Sequence, residues 1–237
     1  VNMPKKLSAP SRDHPLGQDE LGRDILSRII YGARISLTIG VVSIGVGFLI
    51  GVPWGTVSGF YGGTLDLLTQ RAIDILLSFP TILLAILVVT VLGPGLRNAM
   101  LAVGFASIPV FTRVVRASVL ALREEEYVLA AKAVGASDLR VIIQHIMPNV
   151  LGPVIVLSTM YTATAILSAA GLGFLGLGAQ PPTPEWGAML SRGRAFLRVA
   201  PHVAMFPGLA IFFSVLGFNL LGDGLRDALD PRLRGQL

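Results

Sequence analysis

One stretch of the chain limits its fold more than any other. From Ile35 to Leu65 no residue carries a charge, and a helix needs only about 20 apolar residues to cross a bilayer. Of the 237 residues, 53% are hydrophobic and 14% are charged, whereas roughly a quarter of the residues in soluble domains are charged. The sequence therefore predicts a protein that lies in a membrane, and its composition excludes disorder.

Five stretches are long enough to cross the bilayer, and their continuous apolar character predicts helices rather than strands. The predicted spans are Ser36–Val57, Ala72–Leu92, Asn98–Leu122, Val150–Leu172 and Val203–Leu221. Pro53 and Pro80 are each able to kink a span, because proline lacks the backbone N–H. The predicted fold class is an all-α, multi-pass membrane protein.

An odd number of spans places the two ends of the chain on opposite sides of the membrane. Segments 1–34, 93–97 and 173–202 then share one side, but Lys and Arg are almost equally numerous on both sides. If residues 1–34 are left out of the count, Lys and Arg are more numerous on the side that contains 59–71, 113–149 and 222–237. The positive-inside rule then predicts that 59–71, 113–149 and 222–237 are cytoplasmic.

The first predicted span carries glycines at a spacing of four residues: Gly47, Gly51, Gly55 and Gly59. This spacing forms a ridge along a helix that lets another helix approach closely in lipid. Two interpretations remain, which are packing within the chain and contact with a partner subunit or the wall of a conduit.

Few ionisable residues lie within the predicted spans. Asp74 is interpreted as a favourable charge near the N-terminus of the second span. Arg113 and Arg116 are interpreted as reaching for lipid head groups. The alternative is that they pair with Asp74.

The segment 123–149 is too long for a tight connection between two spans. Its pattern predicts a helix over 124–134, ended by Gly135 in a left-handed conformation, and a second helix capped by Ser137. The second helix is predicted to present one apolar side, formed by Leu139, Ile142, Ile143 and Ile146. This surface fits either a protein interface or a helix that lies on the membrane.

Several chemical functions are excluded by residue types and spacing. The chain has no cysteine, so disulfides and thiolate sites are absent. No lysine follows a glycine, so there is no phosphate-binding loop for ATP. His14, His145 and His202 are far apart and lack further ligands at metal-binding spacing.

The same segment contains a motif that resembles a known family. Ala130 and Ala131, then Gly135, then Pro148 reproduce the spacing of the "EAA" loop of ABC importer permeases, with Leu129 at the position of the motif's Glu. Longer motifs resemble the dipeptide/oligopeptide/nickel importer permeases of the "C" type. These motifs are His14–Leu37, Gly59–Pro80, Gly171–Leu190 and Asn219–Gly235.

The resemblance implies the transmembrane domain of a type I ABC importer, in a bacterial or archaeal inner membrane. That family has six spans, so the first span is expected to be missing here. Residues 1–35 are then an extracytoplasmic segment and 36–237 the transmembrane domain. The resemblance places 123–149 in the cytosol and 173–202 outside.

The resemblance also implies partners and site residues. Partners are a second homologous permease, two ATPase subunits, a substrate-binding protein and lipid, without nucleic acid. ATP and Mg²⁺ are expected on the ATPase subunits, and this chain is expected to have neither a cofactor, a metal nor a catalytic residue. Residues implied to couple to the ATPase are Ala130, Ala131, Gly135, Ala136, Ser137, Asp138, Leu139 and Arg140.

Two further segments have open interpretations. Prolines and Trp186 in 173–202 suggest a stiff loop with an interfacial anchor, which acts as a re-entrant cap or contacts substrate or the binding protein. The C-terminal charges are predicted to form a solvated face that also suits an ATPase contact. They are Asp223, Arg226, Asp227, Asp230, Arg232 and Arg234.

The predicted function is half of the translocation path of an ATP-driven importer for di- or oligopeptides. One alternative is the same machinery for nickel or another small solute. A secondary transporter, a channel or a membrane scaffold is a further alternative from another class. The sequence does not identify the residues of the substrate path.

Overall fold

The structure is a computed structural model that describes residues 6–229. Within this range, all regular secondary-structure elements are helices. The helices are α1 Ile25–Tyr61, α2 Gly63–Leu77, α3 Thr81–Leu92, α4 Leu96–Leu122, α5 Glu126–Ala133, α6 Asp138–Val141, α7 Met147–Phe174, α8 Trp186–Gly193 and α9 His202–Leu229. A π turn, Ile142–Ile146, joins α6 to α7, and a 3₁₀ turn, Arg194–Phe196, follows α8.

Four helical stretches are long and apolar enough to span a membrane: Ile25–Tyr61, Leu96–Leu122, Asp138–Phe174 and His202–Leu229. The predicted span over Ala72–Leu92 is broken where Pro80 was expected to kink it, and its two parts belong to α2 and α3. Helices α2 and α3 are bent by 92° at the break between them. Pro80 directly precedes α3, and a proline disfavours helical conformation in the residue before it.

Helix α1 begins well before the predicted span because Asp24 caps it. The Asp24 carboxylate accepts a hydrogen bond of 2.7 Å from the backbone N–H of Ser27, which satisfies one of the free donors of the first turn. The helix continues through Pro53 and ends before Gly62, whose φ is +67°.

The glycine ridge of α1 packs against α4 within the chain, and these two helices share the most extensive contact in the fold. A Cβ at Gly51 would lie 2.6 Å from the Cβ of Phe111, and one at Gly55 would lie 2.5 Å from the carbonyl oxygen of Thr112. Side chains cannot occupy these positions. The interpretation of the ridge as packing within the chain is therefore confirmed.

The helices bury a continuous apolar core, in which Phe111 contacts both the ring of Phe48 and that of Tyr161. Many large apolar side chains point outward instead; Leu49 is 72% exposed and Val91 80%. Exposed apolar surface of this extent suits a lipid environment, where it is not a cost.

The two ends of the helix bundle are built from different segments. At one end, called the cap end, residues 6–24 lie beside residues 175–201. There the N–H of Gly95 donates to the carbonyl of Leu177 at 3.1 Å, and the indole N–H of Trp186 donates to the carbonyl of Ile29 at 3.1 Å. At the other end lies the elbow, defined as residues 126–141, which comprises α5, the following turn and α6.

Candidate coupling surface

The turn of the elbow is formed by a helix-ending motif centred on Gly135. Its φ is +86°, and its N–H donates to the carbonyl of Lys132 at 3.0 Å. The N–H of Ala136 donates to the carbonyl of Ala131 at 3.0 Å. These two bonds define a Schellman motif, so the predicted role of Gly135 in ending the first helix is confirmed.

Ser137 occupies the predicted position before the second helix, with an extended backbone (φ −65°, ψ 152°). Its side chain makes no capping hydrogen bond within the described structure. Asp138 in the first turn of α6 supplies the negative charge that favours this helix end.

The prediction of a single apolar side on the second helix is wrong. Leu139 and Ile143 are 67% and 57% exposed, whereas Val141 and Ile146 are fully buried. The cause is the π turn Ile142–Ile146, because hydrogen bonds from residue i to i+5 change the angular spacing of the side chains. Val141 and Ile146, five residues apart, consequently face the core together.

Three contacts fix the elbow to the spans. Val128 of α5 is fully buried in the core. The Lys132 ammonium lies 4.7 Å from the centroid of the Phe60 ring at the end of α1, a cation–π contact. The side-chain amide of Asn149 donates to the Tyr127 hydroxyl at 3.3 Å, which connects α5 to α7.

The elbow exposes several apolar side chains beside the charged Glu126, Lys132, Asp138 and Arg140. Val134 is 86% exposed; Tyr127, Leu129, Leu139 and, in the adjoining π turn, Ile143 are also exposed. An apolar surface held in a fixed shape, rather than scattered single residues, is typical of a binding site for another molecule.

The structure brings the eight predicted coupling residues together in the elbow. Six of them are exposed: Ala130, Gly135, Ser137, Asp138, Leu139 and Arg140. Ala131 and Ala136 are half-buried and pack against the core. Val134, which directly precedes the helix-ending glycine and is 86% exposed, was missed by the sequence analysis.

Ion pairs join α2 to α4 near the same end. The Arg116 guanidinium binds the Asp66 carboxylate through two hydrogen bonds of 2.5 and 2.6 Å, and Arg113 binds Asp74 at 2.6 Å. The alternative of pairing with Asp74 is therefore confirmed for Arg113, whereas Arg116 pairs with Asp66 instead. Asp74 lies near the end of α2 rather than near a helix start, because α2 begins at Gly63.

At the cap end, Trp186 is not an interfacial anchor, and that prediction is wrong. Only 3% of the residue is exposed, and it packs with Ala170, Met189 and Ile211. The preceding residue, Glu185, is also buried and caps α8 by accepting the N–H groups of Gly187 and Ala188, each at 2.7 Å. Burial raises the pKa of Glu185 above its ordinary value despite these hydrogen bonds.

Two further predictions concern charged and metal-ligating side chains, and the described residues test part of each. Within residues 6–229, no group of three His, Cys, Asp or Glu side chains is placed to hold a metal ion. Asp223, Arg226 and Asp227 are exposed at the end of α9, as predicted for a solvated face. Asp230, Arg232 and Arg234 lie outside the described residues.

Solved structures with the same fold define the class of this protein. The fold matches a structure titled "Inward facing conformations of the MetNI methionine ABC transporter" with a TM-score of 0.70, at 20% identity over 87% of this chain and 98% of that chain. It also matches an amino acid ABC transporter solved with histidines, with a TM-score of 0.64, at 13% identity over 84% of this chain and 92% of that one. The fold is that of the transmembrane domain of a type I ABC importer.

Residues 51–235 match the family described as "Binding-protein-dependent transport system inner membrane component", and the chain belongs to this family. It is 51% identical to the dipeptide transport system permease protein DppC of Alkalihalophilus pseudofirmus, over 99% of this chain and 77% of that protein. It is 53% identical to the glutathione transport system permease protein GsiD of Escherichia coli, over 96% of this chain and 75% of that protein.

These findings confirm the predicted class. The chain is a permease subunit of an ABC importer in the inner membrane, and as a transport permease it is not an enzyme. Members of this family act in transport systems that depend on a binding protein. The elbow, which contains the predicted coupling motif, is therefore the candidate site for contact with the energy-supplying part of such a system.

Proposed function

We propose that the chain forms one half of the translocation path of an ATP-driven importer for di- or oligopeptides. The observation that carries this proposal is the elbow, which exposes several apolar side chains and is attached to two spans. A chain without a phosphate-binding loop needs an external source of energy, and the elbow supplies a surface through which it can be delivered.

Peptides are the cargo that the relatives support best. One relative is named for dipeptide transport and the other for transport of glutathione, which is itself a small peptide. Both names point to the same chemical class.

In this proposal an ATPase subunit binds the elbow through Val134, Leu139 and the neighbouring exposed residues. ATP and Mg²⁺ are held by two such subunits, and a second permease completes the path. Because α6, the π turn and α7 form one helical stretch from Asp138 to Phe174, a displacement of the elbow is transmitted along a whole span. The path can then alternate between two states of access.

The proposal also gives the chain an orientation. The elbow lies in the cytoplasm, and the cap end lies outside, where residues 175–201 and 6–24 receive cargo from the binding protein. The two surfaces stand at opposite ends of α7, so one subunit can contact both partners without interference.

The test uses the complete complex in lipid vesicles, with binding protein and a labelled dipeptide. Leu139→Asp is expected to reduce co-purification of the ATPase and ATP-dependent uptake, because a charge enters the apolar contact. Leu197→Asp is the matched control, since Leu197 is similarly exposed but lies at the cap end; it is expected to retain the ATPase.

Two outcomes would contradict the proposal. Retention of the ATPase by Leu139→Asp, together with normal uptake, would refute the role of the elbow. Uptake of Ni²⁺ without uptake of dipeptide, or uptake driven by an ion gradient without ATP, would refute the cargo or the energy source.

A further inference from the structure

A recess at mid-height in the bundle differs from the rest of the interior in the chemistry of its wall. It has a volume of ≈ 300 Å³ and is lined by residues from α1, α3, α4, α7 and α9. Ile44 and Ser107, which form part of its wall, lie near the middle of α1 and α4. Five other lining residues carry uncharged polar groups: Thr81, Tyr161, Thr164, Ser168 and Asn219.

The side chains of these five residues make no hydrogen bond within residues 6–229. Several other hydroxyls in the spans bond to the backbone: Thr112 donates to the carbonyl of Ile108 and Thr159 to that of Ile155, each at 2.9 Å. A polar group that enters an apolar environment without a partner carries an energetic cost. The fold therefore does not by itself explain why five of them converge on one recess.

Two other recesses show that this convergence is specific. One of ≈ 420 Å³ contains the hydroxyls of Ser158, Thr159 and Thr162, and each of these donates to a carbonyl one turn earlier in α7. The other, of ≈ 400 Å³, is apolar except for Arg226 near the end of α9. Neither presents unbonded, uncharged polar side chains.

The chemistry of the recess selects a class of ligand. Hydroxyl groups donate and accept hydrogen bonds, and the Asn219 amide does both, so the wall complements the N–H and C=O groups of a peptide main chain. No residue that lines it is charged, so it offers no counter-charge to an ionised side chain. A volume of this size lies at the lower end of small-molecule sites.

We propose that this recess is a cargo-binding site of the translocation path, and that it binds peptides through their main-chain amide group regardless of side-chain charge. The inference rests on the proposed function, because it assumes that peptides pass through the bundle. It adds the residues that contact them, of which Thr81, Thr164 and Asn219 are exposed.

The test replaces polar groups of the recess by apolar groups of similar size. Asn219→Leu and Thr164→Val are made singly and together, with Thr159→Val as the matched control on α7. The complete complex in vesicles is given dialanine, alanyl-lysine or alanyl-glutamate through the binding protein. Each single variant is expected to lower uptake by roughly two- to tenfold, equally for the three dipeptides, whereas Thr159→Val leaves uptake unchanged.

Two further measurements separate binding from a structural role. The double variant is expected to retain the wild-type melting temperature, because the groups that it removes have no partner to lose. Wild-type protein is expected to transport dialanine better than its N-methylated analogue, and the double variant is expected to lose this preference.

The outcomes are distinct. Wild-type uptake of all three dipeptides by the double variant, or a loss that depends on side-chain charge, would overturn the inference and leave the proposed function standing. A wild-type complex that transports no dipeptide would overturn both.

Discussion

Gly135 shows how a single residue sets the shape of the elbow. Nothing lies within 4 Å of the position that a Cβ would occupy, so crowding is not the reason for glycine. The reason is the φ of +86°, because an L-residue in the left-handed region costs about 1 kcal/mol or more. Asparagine tolerates this region better than other residues.

We therefore predict that Gly135→Val distorts the elbow and uncouples ATP hydrolysis from uptake, with a smaller defect for Gly135→Asn. The measurement is the ratio of transported dipeptide to hydrolysed ATP in vesicles. Gly217→Ala is the control, since Gly217 also has open space around it but has an ordinary helical backbone. An equal ratio in Gly135→Val and wild type would contradict this account.

The two ion pairs between α2 and α4 differ in burial, which predicts different energetic roles. In the pair of Asp66 and Arg116, the side chains are 16% and 27% exposed, whereas Asp74 and Arg113 are both about half exposed. Removal of one partner from a buried pair leaves the other charge uncompensated, but exposed pairs contribute little.

Asp66→Asn is accordingly expected to lower the free energy of unfolding by about 2 kcal/mol, and Asp74→Asn by less than about 1 kcal/mol. Thermal unfolding of the purified chain in detergent compares the two variants. If Asp74→Asn is the more destabilising of the two, the assignment of their roles is wrong.

Glu185 gives a prediction about pH. Its pKa is raised in the folded state by burial, so the folded protein binds the proton more tightly than the unfolded chain does. The sign follows from linkage, since this residue's contribution to stability is greatest at low pH and decreases as the pH rises from about 4.5 through the raised pKa.

Glu185→Gln is expected to remove this decrease. The measurement is the difference in melting temperature between wild type and variant across the pH range, which cancels the contributions of the other acids. A difference that does not change with pH would contradict the prediction.

At the scale of elements, the π turn determines which residues of the elbow are exposed. Deletion of Gln144, an exposed residue within the turn, is expected to restore ordinary helical spacing and rotate α6 relative to α7. We predict loss of ATPase binding with little loss of folding, measured by co-purification and thermal unfolding. Gln144→Ala, which keeps the chain length, is the control and should bind normally.

The sequence predicted well those elements that depend on a long apolar run or on a motif of a few neighbouring residues. Four of the five spans, the glycine ridge and the Gly135 turn follow from apolar runs, a spacing of four and one left-handed residue. The π turn was not predictable, because Ile142–Ile146 also fits an ordinary amphipathic helix. Likewise, the burial of Trp186 depends on contacts with Ile29 and Ile211, which are remote in sequence.

The break between α2 and α3 shows the same limit. Pro80 indicates a kink, but it does not by itself specify the angle of 92° between α2 and α3. The sequence offered Asp74 as a partner of Arg113 and Arg116 only as one alternative, because a pattern does not select between partners about forty positions apart.

At the scale of the whole molecule, the absence of cysteine makes the orientation directly testable. Leu139→Cys at the elbow and Leu197→Cys at the cap end each introduce one exposed thiol. In sealed right-side-out vesicles, a maleimide that cannot cross membranes is expected to label Leu197→Cys at once and Leu139→Cys only after permeabilisation. The reverse pattern would show that the elbow faces outward.

The contact of α1 with α4 has a consequence for motion. At Gly51, Gly55 and Gly59 the backbone of α1 packs directly against side-chain and backbone atoms of α4. Neither helix can therefore slide or rotate against the other without a steric clash. The two helices move as one rigid unit. Any opening and closing of the subunit therefore has to leave this pair of helices intact.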